Sequence, residues 1–162
     1  MKPASYPLLL LLALWSLALH PTITIATTID AESMVAEQQQ RVARFNGSVE
    51  LVTDDLHLFS DHLVAYYSDH LGGQLDRAEA TGHVRMQHKE SRGRADHATL
   101  DIQHNLLTLS GSAELTESGR VIRAGHITHH LKSGNTTVTG GGEGERVHIH
   151  IDDDKDRTIT PP

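Results

Sequence analysis

The chain contains no cysteine, so it has neither a disulfide nor a thiol nucleophile and must hold together by its own core and hydrogen bonds. Aromatic residues make up only 4% of it. The single tryptophan, Trp15, lies in the N-terminal apolar run, and beyond residue 26 only Phe45, Phe59, Tyr66 and Tyr67 remain. Aromatics normally supply large buried areas, so leucine, valine, isoleucine and alanine must build this interior. No proline occurs between Pro21 and Pro161, so nothing there forbids long runs of paired strands. Basic residues are outnumbered: 14 Lys+Arg against 21 Asp+Glu, a net charge of −7. That excludes a nucleic-acid binder, whose partner demands a basic face. The chain carries no G-x-S-x-G, no H-E-x-x-H and no phosphate-binding loop, and no serine sits in an activating motif. Catalysis is therefore not expected, and no cofactor is expected.

What is present begins with a leader. "MKPASYPLLLLLALWSLALH" has one early lysine and an unbroken apolar run from Leu8 to Leu19, long enough for a signal peptide and short for a membrane span. Thr24 and Ala26 suit the −3 and −1 positions of a cleavage site. Residues 1–26 are read as a signal peptide, with an uncleaved N-terminal anchor as the competing reading. Removing Lys2 with the leader leaves 13 basic against 21 acidic residues, a charge near −8.

The remainder is a repeat. "NGSVELV", "TGHVRMQ", "SGSAELT" and a weaker "TGGGEGE" place glycines at 47, 82, 111 and 140, at intervals of 35, 29 and 29. A second element, "AES", "SDH", "ADH" and "AGH", is centred on 32, 61, 96 and 125. Each of its last three copies lies 14 residues after a repeat glycine. Turn signals fall in register at 54–55, 89–90 and 118–119, and again at 104–105 and 133–134. Six extra residues interrupt the register near "SDHLGGQLDR". Apolar residues alternate at period two, as in Val49/Leu51, Val84/Met86 and Leu107/Leu109. The expectation is an all-β fold over residues 27–151, with about fourteen to sixteen short antiparallel strands as two facing sheets, built on a repeat of ~29 residues. The second element is expected at strand starts, Asp96 bonding local backbone there. The first and last strands leave open edges, which favours head-to-tail self-association.

Quoted along its length, "IDAESMVAE…RFNGSVELV…LFSDHLVAYY…DRAEATGHVRM…SRGRADHATLDIQHNLLTLSGSAELTESGRVIRAGHITHHLKSG" resembles the LptA/OstA family of periplasmic lipopolysaccharide-transport proteins. The repeated strand motifs in order, behind an export signal, carry the resemblance. It implies an open β-jelly roll, or β-taco, that shields lipid A acyl chains between its sheets and serves as a bridge segment from inner to outer membrane. It also implies an LptC-like inner-membrane partner and an LptD-like outer-membrane partner. A retained leader would instead make the chain an LptC-like anchored component. A third reading is a metal-binding or structural periplasmic module. The weak fourth repeat and Gly125, where the pattern has an acid, depart from the family.

The candidate lipid contacts are the alternating aliphatic residues Val49, Leu51, Leu58, Leu63, Val84, Met86, Leu100, Ile102, Leu107, Leu109, Leu115 and Ile127. The competing reading of each is ordinary sandwich core. In "VHIHIDDDKD", His148, His150 and Asp152 share one face of a strand, two histidines and a carboxylate in a ligating pattern; a solvated histidine face is the plainer reading, and no metal is assigned. His129 and His130 point to opposite faces. Residues 152–162 read as an acidic tail without structure.

Overall fold

The computed structural model describes residues 26–70, 73–140 and 146–151. Residues 1–25 of the leader, and the acidic tail from Asp152 onward, lie outside the described residues. Among the described residues, ten strands form one antiparallel sheet: β1 (Thr27–Asp30), β2 (Ser33–Glu37), β3 (Val42–Thr53), β4 (Leu56–Tyr67), β5 (Leu75–His88), β6 (Ser91–Asp101), β7 (Leu106–Glu117), β8 (Arg120–His130), β9 (Thr136–Thr139) and β10 (His148–Ile151). β3 to β8 pair in sequence order. β1 and β2 both pair with β3, against its two ends, and β9 and β10 likewise flank β8.

The repeat glycines bend the sheet. Gly47, Gly82 and Gly111 all adopt positive φ, and so do the residues after them, Ser48, His83 and Ser112. Register slips at each of these places: Asn46 pairs with His62 but Val49 with Ser60, so two residues of β3 face Asp61 of β4 alone. The same bulge recurs in β5 against β4 and β6, and in β7 against β6 and β8. A bulge adds a residue, bends its strand and raises local twist. With bulges aligned across neighbours, each long strand crosses a common spine and turns back over it. One sheet thus folds into two layers.

The strand count expected from the sequence is corrected by this. The short segments are halves of continuous strands, because the glycine that reads as a break is a bend that the ladder passes through. The second element is likewise mid-strand rather than at a strand start: Asp96 lies within β6. The hairpin turns fall where the turn signals stand, at 54–55, 89–90 and 118–119. Ser118 and Gly119 both take positive φ, as a two-residue I′ turn requires. The extra residues occupy the connection between β4 and β5, over 68–74.

Inward positions alternate with outward ones along every long strand. The inner faces meet in one cluster of aliphatic residues, with Phe45 the only aromatic among its buried members. Alanines 65, 78, 80, 98 and 113 are all buried in it, small side chains that let the layers approach.

Candidate functional site

Two features lie between the layers: a packed interior and, at the mouth opposite the spine, a cleft. Eleven of the twelve candidate lipid contacts lie in the packed part. Val49, Leu51, Leu58, Leu63, Val84, Met86, Leu100, Leu107, Leu109, Leu115 and Ile127 are all at most 3% exposed. Packing is tight enough that a Cβ added at Gly93 on one layer would sit 2.7 Å from Leu109 Cδ1 on the other. The protein's own side chains fill this space, which is the core-like placement each candidate had as its competing reading.

Ile102 is placed differently. It is partly buried and lines the mouth cleft, a cavity of about 1020 Å³. The apolar lining includes Ile29, Phe45, Leu56, Tyr67, Leu75 and Leu131. Polar groups stand at its rim: Asp54, Asp55 and Lys89 on one layer's turns, Gln103, Asn105 and Lys132 on the other's. A concave apolar surface with a few polar groups at its edge suits a ligand with a long hydrocarbon part and a polar head. Ligand-sized space is thus lined by residues near turns, where alternation is interrupted. Phe45 and Tyr67, two of the four aromatics beyond residue 26, were the available sequence signal for it.

Two histidines close the cleft on the β8 side. His88 ends β5 in one layer, and His129 is the penultimate residue of β8 in the other. Both are buried. His88 Nδ1 lies 3.1 Å from His129 Nε2, with the rings edge to face. His129 Nδ1 is 3.0 Å from Thr136 Oγ1. Burial pushes both imidazoles below the usual histidine range. For His88, Lys89 adds to that and Asp55 and Asp54 oppose it. For His129, His88, His130 and Lys89 add to it and Glu117 opposes it.

The outer face of the layer that contains His88 carries Glu114 between Arg94 and Arg123, at 3.0 and 2.6 Å. Burial alone would raise the Glu114 carboxyl, but the two guanidinium hydrogen bonds outweigh it and hold it below the usual range. His148 and His150 are exposed on β10, and Asp152 lies outside the described residues. No group of three or more His, Asp or Glu among the described residues is placed to hold a metal ion.

Comparison with known proteins bears on this geometry. Residues 28–135 match the family model of the LptA/(LptD N-terminal domain) LPS transport protein. LptH, the LptA-homologous periplasmic component of the lipopolysaccharide transport device of Pseudomonas aeruginosa, has a crystal structure similar to this fold. The TM-score is 0.70 at 13% identity, over 78% of this chain and 95% of that one. A curated protein nucleotidyltransferase, YdiU of Alkalilimnicola ehrlichii, is 33% identical over 110 residues, 65% of this chain. The chain spans only 22% of that relative's length.

Proposed function

The chain belongs to the LptA/(LptD N-terminal domain) family of lipopolysaccharide-transport proteins, and from that premise we propose that it is a noncatalytic periplasmic carrier of lipopolysaccharide. The observation that carries this reading is the mouth cleft between two aliphatic layers, with its apolar lining and polar rim. Acyl chains enter there, and the fold's inner face shields them from water. Residues 27–151 act as the carrier domain, and residues 1–26 direct export.

The edges support assembly. β1 and β2 present one edge and β9 and β10 the other. Met34, Val35, Ile149 and Ile151 are exposed on these strands. Head-to-tail pairing would align successive clefts, with an LptC-like protein at one end of the series and an LptD-like protein at the other.

Photocrosslinking tests the carrier reading. Probes at Ile102 and Tyr67 should capture lipopolysaccharide, while outward Glu50 and Glu114 should not. Capture only from outward positions would sink the model. The apolar run Leu8–Leu19 keeps an anchored, LptC-like component as the second reading. Intact mass of the exported protein separates the two, since a carrier loses about 26 residues with its leader.

A further inference from the structure

The His88–His129 contact joins the two layers by their inner faces. His88 belongs to the half of β5 beyond its bulge, and His129 to the half of β8 beyond Gly125, the residue that faces the bulge of β7. These halves lie on opposite sides of the spine. Their contact stands where the cleft stops: His88 lines the cavity, whereas β7 and β8 contribute nothing to its wall. Beyond the pair, Leu107, Leu115 and Ile127 are fully packed.

We propose that His88 and His129 form an acid-releasable clasp that ends the acyl-chain cleft, and that opening it extends the cleft toward the β8 edge. The extension rests on the carrier reading; the clasp itself does not. The chemistry follows from imidazole donors and acceptors. A neutral pair has one N–H to donate across the 3.1 Å gap and one lone pair to receive it. The Thr136 hydroxyl can donate or accept, so it complements either direction. One added proton still leaves a donor and an acceptor. Two protons place two N–H groups and two positive charges face to face, and the bond is lost. The charged groups around the pair are Asp54 and Asp55 on the β3–β4 turn, Lys89 on the β5–β6 turn, Glu117 on β7 and His130 on β8. The carboxylates oppose the shift to neutrality but form no hydrogen bond with either ring among those the structure shows, so they do not replace the clasp.

The absence of native cysteine permits a direct test. Spin labels at Glu90→Cys and Lys132→Cys sit on turns beside His88 and His129, one on each layer. As the pH falls from about 7.5, above ordinary histidine titration, through the lower range to which burial moves both rings, the label separation should lengthen by more than the width of the neutral-pH distribution. His88→Leu/His129→Leu should abolish that response. His129→Gln, whose amide can still donate to His88 without titrating, should abolish it too and guards against a folding defect in the double variant. An unchanged distance overturns the clasp, as does the same response in both variants. Lengthening accompanied by loss of the far-ultraviolet strand signal also overturns it, because the change would then be global unfolding. Photocrosslinking to lipopolysaccharide from Leu115 should appear only at the lower pH, and equal capture at both would overturn the extension. Absence of capture from any position, Ile102 included, would sink the carrier reading, while the label distances would still decide the clasp.

Discussion

The Asp96 carboxylate of β6 packs directly over the α-carbon of Gly111 in β7, so that an added Cβ would lie 2.7 Å from Oδ2. Asp61 stands in the same way over Gly82, and Glu32 over Gly47. The first three copies of the two sequence elements therefore form one structural unit: an acid from the β1–β2 connection, β4 or β6, seated on the bulge glycine of β3, β5 or β7. Gly111→Ala meets two obstacles, the carboxylate and a φ of +71°. The left-handed backbone alone costs about 1–2 kcal/mol, and the clash adds to it. Asp96→Ala/Gly111→Ala removes the clash and keeps the φ cost. Its destabilisation in urea titrations should be smaller than the sum of the two single changes.

The buried histidine pair makes stability depend on pH with a definite sign. Both rings titrate below the usual histidine range in the folded chain, so between the folded and unfolded pKa values the unfolded state binds more protons. Their contribution is fully present above about pH 6.5 and is lost as the pH falls through the folded-state values. Urea midpoints should fall across that window in the wild type. In His88→Leu/His129→Leu the fall should be shallower. A parallel decline in both proteins would assign the acid sensitivity to other groups.

Glu114 holds two guanidinium groups on a face where Arg85 stands directly opposite Arg94 across the β5–β6 ladder. Like charges directly opposed in a sheet are unfavourable. Glu114→Ala would leave Arg94 and Arg123 without that carboxylate, with Arg94 still facing Arg85. The arginines are largely solvated, so the loss should be modest, about 1 kcal/mol, and larger in low salt than in high. Thermal melts at two ionic strengths measure it. The carboxyl's lowered pKa means this contribution is present at neutral pH and disappears as acid protonates Glu114.

Gly93 and Leu109 set how closely the layers approach. A Cβ at Gly93 would meet Leu109 Cδ1 at 2.7 Å and Met86 Cγ at 2.9 Å. Leu109 Cδ1 is a side-chain end, and Met86 Cγ belongs to an unbranched side chain that can change rotamer, so Gly93→Ala should overpack by about 1–3 kcal/mol rather than prevent folding. Leu109→Ala should cost about 2–5 kcal/mol through the void it leaves. The double variant places the new methyl into that void. Chemical denaturation should show it at least about 0.5 kcal/mol more stable than additivity predicts.

The sequence made the strands, their turns and their inward faces legible because alternation and turn chemistry are local signals. It did not reveal that Gly47, Gly82 and Gly111 bend strands instead of ending them. A glycine looks alike in a bulge and a break; only pairing to Asp61 or Asp96 on the neighbouring strand distinguishes them. The cleft was harder still. Ile102 was the one candidate that lines it, because periodicity identifies inward residues and says nothing of which remain unpacked. His88 and His129 were invisible as a pair, being 41 residues apart in halves of the sheet that meet only after the bend.

The edge strands give the last test. On β2, Val35 is 57% exposed, and on β10, Ile149 is 59% exposed. Each belongs to a strand that pairs on one side only. An apolar edge of this kind recruits another strand, and a lysine placed on it discourages pairing. Val35→Lys and Ile149→Lys sit outside the packed core, so each should keep the wild-type strand signal in circular dichroism. Each should also lower the concentration-dependent mass measured by light scattering. Because head-to-tail contact joins unlike edges, a mixture of the two variants should recover one contact, between the intact β9/β10 edge of the first and the intact β1/β2 edge of the second. Recovery of dimers but not of longer species on mixing is the expected signature. Scattering that never changes with either substitution would show that these edges do not carry assembly.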